Sequence, residues 1–241
     1  TYLEQVEFAS LEELAAEVDA SVSTVRRDVA ALEQETARVR RTHGGARLAQ
    51  PGSDEFIFSK REEVETAAKE RIGRACAEII LPNQNLFLDA GSTVYAVARQ
   101  LAGKTPHIVT NSLSVANLYA SHPEVEVVVS GGVIYPRLQT MVGPLAVHTF
   151  QQLSADVAVM GAGGMVEDGI MNSHLLMVEI QQAMIASAHR VIFCLDHTKV
   201  GRRSFTPLCG WERVDKIVTT REAPTGILKA VRKHGVEVIL A

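Results

Sequence analysis

SLEELAAEVDASVSTVRRDVAALEQETARVRRTHGGA, Ser10 to Ala46, is the stretch on which the fold turns. Leu11, Leu14, Ala15 and Val18 recur at i, i+3, i+4 and i+7, which puts them on one apolar face of a short helix. Ser10 stands at the N-cap position, and Glu13 three residues on completes a capping box. After Asp19 and Ala20 a second helical pattern starts at Ser21, with Val22, Val25, Val29 and Leu32 on one face. Two short amphipathic helices with a tight turn between them predict a helix-turn-helix.

The outward face of the second helix carries Ser23, Thr24, Arg26, Arg27 and Ala30. Arg forks bond guanine edges or phosphates, hydroxyls bond either, and small residues allow close approach, so this face suits a major groove. From Ser21 to Arg47 six Arg face Asp28, Glu33 and Glu35, a local charge of +3 in a chain of net charge −4. Positive charge is concentrated where phosphate contact is expected. The competing reading is a solvated helical hairpin that uses its arginines for solubility, and it leaves the order of the paired motif unexplained.

Ser21 to Val29, S-x-x-T-V-R-R-D-V, followed by R-T-H-G-G-A from Arg41 to Ala46, resembles the DeoR family of bacterial transcription regulators. The resemblance implies a winged helix-turn-helix with wing strands at 38–42 and 46–48 and a turn at Gly44 and Gly45. The Gly common before the wing is replaced by Glu35-Thr36-Ala37-Arg38. The implied DNA-binding residues are Ser21, Ser23, Thr24, Arg26, Arg27, Arg41 and His43. His43 would touch a phosphate or hold the wing through a backbone hydrogen bond, and the sequence does not choose between them. The chain begins Thr-Tyr-Leu, where the family has most of a first helix, so it is expected to start inside that helix. The DNA-binding domain is placed at 1–48, a linker containing Gln50-Pro51-Gly52-Ser53-Asp54 at 49–58, and a second domain at 59–241.

Composition bounds that second domain. The 241 residues are enough for a short unit and a core domain of ordinary size, and 46% apolar residues fit a globular chain. Cys76, Cys194 and Cys209 are odd in number and lack C-x-x-C spacing, so neither a disulfide framework nor a zinc site is indicated. No apolar run approaches membrane-spanning length, and no signal-peptide pattern precedes the first helix. The expected setting is a reducing cytoplasm without membrane association, metal or cofactor.

From Arg61 to Ile80 a single long helical pattern leads into alternating strand and helix patterns. Strand-like runs occur at 86–89, 107–110, 125–130, 156–161, 190–196, 216–220 and 236–240. Continuous β-branched runs separated by helices predict an α/β domain with a mostly parallel sheet covered on both faces. Open α/β sheets bind ligands at the carboxyl ends of their strands. The first run ends in Asp89-Ala90-Gly91-Ser92-Thr93, the second in Thr110-Asn111-Ser112, the third in Gly131-Gly132 and the fifth in Asp196-His197-Thr198-Lys199. Each alone is a weak signal that reads first as a helix cap, but four ends together suit a phosphorylated, hydroxyl-rich molecule.

These segments, with Val142-Gly143-Pro144, also match in order the effector domain of the DeoR family, which is similar to ribose-5-phosphate isomerase-like folds. The resemblance implies a sugar-phosphate-type effector held by Asp89, Gly91, Ser92, Thr93, Thr110, Asn111, Gly131, Gly132, Asp196 and Lys199. Departures lie at Gly169–Leu175 and at Gln181 and Gln182, which stand at the pocket rim where basic residues are frequent. His174 would be a rim or a surface residue. The expected function is metabolite-controlled binding to double-stranded operator DNA, most simply as a repressor of carbohydrate genes, by a homodimer or homotetramer. The alternative is a sugar-phosphate isomerase with an N-terminal appendage. It needs a placed carboxylate base, yet Gly161-Ala162-Gly163-Gly164 carries none, and Glu167 and Asp168 fall in an expected loop, so no catalytic residue is assigned.

Overall fold

The computed structural model describes residues 9–36, 39–42, 44–48 and 57–241. The chain divides into two units, Thr1–Phe56 and Ile57–Ala241. In the first, β1 (Ala9–Ser10) leads into α1 (Leu11–Glu17), α2 (Val22–Thr36), β2 (Val39–Thr42) and β3 (Gly45–Leu48). Ser10 caps α1: its hydroxyl accepts from the Glu13 amide at 3.1 Å while the Glu13 carboxylate accepts from the Ser10 amide at 2.8 Å. The three strands form an antiparallel sheet in the order β1, β3, β2. Gly44 turns the wing at φ +86° and its carbonyl accepts from the Leu11 amide at 3.0 Å, tying the wing to the start of α1.

Leu14, Ala15, Val25 and Val29 join Ala9 and Ala46 in a small buried core. Val18 and Leu32, expected on the same apolar faces, are exposed. α1 stops at Glu17, so Val18 lies past the last turn. Thr1–Phe8, His43 and most of the expected linker fall outside the described residues.

In the second unit the sequence predicted one helix from Arg61 to Ile80, but the structure has two, α3 (Phe58–Glu63) and α4 (Thr66–Ile79). Phe58, placed in the linker by sequence, is buried and opens α3. The break is at Glu65, held left-handed at φ +53°. Lys69 Nζ donates to the carbonyls of Arg61 and Val64, the groups that the break leaves without helical partners.

After α4 the chain builds β4 (Asn85–Leu88), α5 (Ser92–Ala98), β5 (His107–Thr110), α6 (Leu113–Tyr119) and β6 (Val127–Val129). A hairpin of β7 (Val133–Tyr135) and β8 (Thr140–Val142) precedes α7 (Pro144–Gln152) and β9 (Ala155–Met160). Then come β10 (Gly164–Val166), β11 (Gly169–Asn172), α8 (Leu175–Ser187), β12 (Ala188–Cys194), β13 (Thr206–Cys209), β14 (Lys216–Thr219), α9 (Thr225–Lys233) and β15 (Glu237–Leu240). The seven strand-like runs of the sequence are the seven strands of one sheet, in the order β15, β14, β12, β9, β4, β5, β6, with every neighbouring pair parallel.

Both faces are covered, which is why these strands are apolar without alternation. Leu86, Leu88, Val157, Val159 and Ile192 pack with Ile72, Val94, Val97 and Val115 on one face. Phe87, alternating to the other face, meets Phe150 of α7 edge-on at 5.1 Å. The antiparallel pieces β7–β8 and β10–β11–β13 were not read from the sequence, because they follow strands without an intervening α-helix and so fall outside the strand–helix alternation that marked the seven.

α4 crosses α5 closely at Gly73, where a Cβ would stand 2.6 Å from the Ala96 carbonyl oxygen. Ala is favoured over Gly inside a helix by about 1 kcal/mol, but forcing an atom into a packed backbone contact costs about 1–3 kcal/mol. Gly73→Ala is therefore expected to destabilise the protein despite its better helix propensity. Urea unfolding that shows equal or greater stability for the variant would contradict this packing.

Candidate effector site and nucleic-acid interface

The carboxyl ends of β12, β9, β4, β5 and β6 are neighbours in the sheet, so loops far apart in sequence share one rim. Strand order reverses between β4 and β9, since β5 and β6 lie to one side and β12, β14 and β15 to the other. That is the switch point at which open α/β sheets leave a crevice. Asp89 closes it. The Asp89 amide donates to the Val159 carbonyl at 3.0 Å. Its carboxylate accepts from the amides of Ala90 at 2.8 Å and Gly161 at 3.2 Å and from Gln181 Nε2 at 2.5 Å.

Gln181 was expected at the rim and is instead the buried centre of this network. Its Nε2 also donates to the Gly161 carbonyl at 2.9 Å, and its Oε1 accepts from Asn172 Nδ2 at 2.5 Å. A glutamine can donate to a carboxylate and accept from an amide at once, which a lysine or arginine cannot do. Burial pushes the Asp89 carboxyl up from 3.8 to about 6, against the opposing pull of Gln181, the two amides and Arg61.

Arg61 and Lys69 were missed by the sequence reading. Arg61 Nη2 lies 3.3 Å from where a Gly91 Cβ would stand, and its carbonyl accepts from Ser92 Oγ at 3.2 Å. Gly91 has φ +147°, a conformation that favours glycine, and only hydrogen on its Cα leaves the guanidinium that close. Lys69 is buried, and that burial lowers its ammonium from 10.5 to about 8. Asp196 opposes the shift, Arg61 and Lys199 add to it, and Glu65 opposes it, so three cations and Asp196 lie within electrostatic reach of one another. A lysine and an arginine in an amphipathic helix ordinarily read as solvated charge, and no local signal marks them otherwise.

The remaining candidates divide by what their side chains already do. Thr110 is fully buried, donating to the Leu88 carbonyl at 2.6 Å and accepting from the Ser112 amide at 3.0 Å, which joins the ends of β4 and β5. Asn111 is also fully buried; its Nδ2 makes a long contact of 3.5 Å to the Met141 carbonyl, and its Oδ1 has no partner among the described residues. Gly131 and Gly132 take φ +70° and +108°, and a Cβ on Gly132 would stand 2.6 Å from the Val142 carbonyl oxygen. Asp196 accepts from the amide and hydroxyl of Thr198, capping the turn that carries Lys199. Thr93 is buried beside Ser92. His197 turns to Thr220, 3.3 Å from its hydroxyl. His174 is half-buried, edge-on to Tyr135 at 4.9 Å, and burial lowers its pKa. Glu167 and Asp168 form the exposed two-residue turn between β10 and β11.

In the first unit Ser23, Thr24, Arg26 and Arg27 are exposed on α2 while Val25 and Val29 are buried. Ser21 has a structural task. Its hydroxyl accepts from the Thr24 amide at 3.2 Å and lies 2.8 Å from both the Ser23 and Thr24 hydroxyls, which caps α2. Arg41 is in β2 opposite Ala46.

Residues 64–221 match the model of the DeoR C terminal sensor domain, and residues 1–51 that of the DeoR-like helix-turn-helix domain. The chain belongs to the DeoR family. It is 28% identical to the HTH-type transcriptional regulator GolR of Listeria innocua and 29% identical to the glycerol-3-phosphate regulon repressor of Escherichia coli K12, covering in each case 99% of this chain and 94% of the relative. Among solved structures, ribose 5-phosphate isomerase A of Methanocaldococcus jannaschii matches 55% of this chain and 53% of its own at 15% identity, with a TM-score of 0.40.

In this DeoR-family chain the buried Asp89 gives a measurable signature. Folded, its carboxyl keeps a proton up to pH about 6; unfolded, it does so only to near 3.8. The native state binds more protons across that window, so the stabilisation is present below the unfolded value and lost as pH rises to about 6. Asp89→Asn cannot titrate and is expected to flatten this part of the stability profile. Urea unfolding of both proteins from pH 4 to 7 checks it: a constant difference between them excludes the shifted carboxyl.

Proposed function

We propose that this chain is a DNA-binding transcription regulator, a repressor of carbohydrate-metabolism genes whose operator affinity is controlled by a phosphorylated sugar or a related metabolite. The division of labour proposed is a DNA-binding domain at 1–48, a linker at 49–58 and a sensor domain at 59–241. The observation that carries the reading is the gathering of Arg61, Lys69 and Lys199 beside the Gly91-Ser92-Thr93 turn at the switch point of the sheet. Clustered cations favour the binding of an anion, and a phosphate dianion is of the class that suits them. Lys199 and Arg61 pair with the phosphate, the turn donates to it, Asn111 Oδ1 accepts a hydroxyl hydrogen, and Asp196 accepts from a second hydroxyl. Asp89 holds the crevice in shape rather than touching the ligand. The name of the Escherichia coli relative, a glycerol-3-phosphate regulon repressor, supports a small phosphorylated polyol as the class.

Binding without turnover is the better reading of the carboxylates. Isomerisation needs a carboxylate base placed at the reacting carbons, whereas Asp89 is engaged inside the protein, Asp196 caps its own turn through Thr198 and is assigned only a hydroxyl to hold, and Glu167 and Asp168 sit on a hairpin turn at the surface. On the DNA side, Arg26 and Arg27 are the proposed anchors, with Ser23 and Thr24 reading bases and Ser21 acting through its cap. Arg41 and His43 belong to the proposed wing contact. A single short recognition helix reads few base pairs, so the active species is a homodimer or homotetramer on symmetric half-sites.

Two experiments test the two halves. A thermal-shift screen of sugar phosphates should find a ligand whose shift is lost in Lys199→Ala and reduced in Lys69→Met. Operator titration with that ligand should change affinity about 5- to 150-fold, matched by the reciprocal change in ligand affinity. Because a bound phosphate pulls the Lys69 ammonium back up from about 8, binding near that pH should take up protons, seen calorimetrically in buffers of different ionisation enthalpy. Steady turnover of the ligand, or binding that ignores Lys199 and leaves DNA affinity unchanged, overturns the reading. Arg26→Ala with Arg27→Ala should weaken operator binding and lower the salt slope by about 0.9 for each phosphate that is no longer neutralised; an unchanged affinity refutes the assignment of α2.

A further inference from the structure

We propose that the open edge of the sheet at β6 is the face on which two copies of this chain join, through antiparallel pairing of Val127–Val129 with the same strand of a second copy about a two-fold axis at Val128. This deepens the homo-oligomer of the proposed function and rests on that reading: a monomeric wild type removes both, whereas a dimer indifferent to Val128 removes this surface alone.

β6 is a terminal strand of the seven, with β5 as its only neighbour among the described residues. The Ile108 amide donates to the Glu126 carbonyl and the Ser130 amide to the Thr110 carbonyl, both at 2.9 Å, so alternate residues 126, 128 and 130 turn their backbone groups to β5. Val127 and Val129 therefore turn theirs outward. An unpaired strand edge is a template for another strand, and soluble proteins usually guard it with charge, proline or a covering element. The exposed Glu126 stands immediately before β6. From Val127 to Pro136 no charged residue occurs.

The surroundings are apolar as well. Val128, Val129, Val133, Ile134 and Leu145 are between 39% and 68% exposed. Leu145 is brought to the group because Thr149, one turn on in α7, donates to the Ser130 carbonyl at 2.8 Å. A cleft of about 510 Å3 lined by Ala116, Tyr119, His122, Pro123, Val127 and Val129 flanks the strand. Grouped apolar exposure of this kind marks an interaction site.

The spacing selects a second copy as the occupant. Outward groups at Val127 and Val129 are symmetric about Val128, so a two-fold at Val128 sets Val127 opposite Val129 of the other copy and satisfies all of them with four hydrogen bonds. The same operation doubles the apolar flanks. A three-residue edge alone falls short of the roughly 800 Å2 per partner of a stable interface, and the cleft lined by Val127 and Val129 is the apolar surface that extends it.

The geometry makes a specific test. In this register the two Val128 residues form a non-hydrogen-bonded pair with Cα atoms about 4.5 Å apart, within the roughly 4.4–6.8 Å that a disulfide spans. Val128→Cys in a Cys209→Ser background should cross-link to a dimer under mild oxidation of the full chain and revert with dithiothreitol. In sedimentation at micromolar concentration, Val128→Lys should raise the dimer dissociation constant at least ten-fold, while Phe205→Lys, at another exposed apolar residue, should leave it unchanged. If the lysine variant does not fold, the cross-link decides alone. A monomeric wild type, a Val128→Cys variant that stays uncrosslinked, or dissociation caused by Phe205→Lys in place of Val128→Lys overturns the proposal.

Discussion

The carboxylate of Asp89, buried where the order of strands reverses, is the interaction on which the sensor unit depends. It binds the first residues past β4 and β9 to each other and to Gln181 of α8, so two strands and a helix that reach the crevice from different directions are fixed at one atom pair. A carboxylate taken out of water at this depth costs several kcal/mol unless it is hydrogen-bonded. Three N–H donors offset much of that, and the raised carboxyl pKa is what remains uncompensated. The cost is spread across a network in which Asn172 completes Gln181, and such fully satisfied networks hold a single geometry.

Around that anchor the sheet does the gathering. Parallel strands all present their carboxyl ends on one edge, so segments as far apart as Gly91 and Lys199 become rim neighbours without any local preference for one another. The break between α3 and α4 adds the cations. Lys69 turns inward to bond the carbonyls that the break exposes, and this draws its charge toward Asp196, Lys199 and Arg61. Ser92 holds the Arg61 carbonyl, so α3 is tied directly to the turn after β4. One structural solution, the capping of an interrupted helix, thus also sets the electrostatics of the crevice.

The first unit works on a smaller scale. Among the described residues its core gathers six buried small or medium apolar side chains with Leu11, Ala20 and Val22 packed against them, and local devices act beside it. Ser10 with Glu13 fixes the start of α1, Ser21 fixes the start of α2, and the Leu11 amide reaches across to Gly44 of the wing. These hydrogen bonds hold α2 with its arginines outward, and its valines supply the reason that face cannot turn in.

The sequence by itself determined the elements whose cause is local. The capping box at Ser10, the helix starting at Ser21, the Gly44 turn and all seven strands of the large sheet were legible, because caps, turns and apolar runs act within a few residues of where they are written. So was the family, through motifs that span both units. What only the tertiary structure decided were the partnerships. Ser21 became a cap, Gln181 lies in a buried network and not at the expected rim, the Asp89 carboxylate and the Thr110 hydroxyl fasten neighbouring strand ends, and Arg61 lies beside the Gly91 turn with Lys69 bonded to its carbonyl. The helix expected across residues 61–80 breaks at Glu65, and the Lys69 side chain takes up the Arg61 and Val64 carbonyls in place of helical amides. Each of these depends on which groups long-range packing brings within about 3 Å, and a hydrogen bond between residues 89 and 181 leaves no period, spacing or composition in the chain to be read.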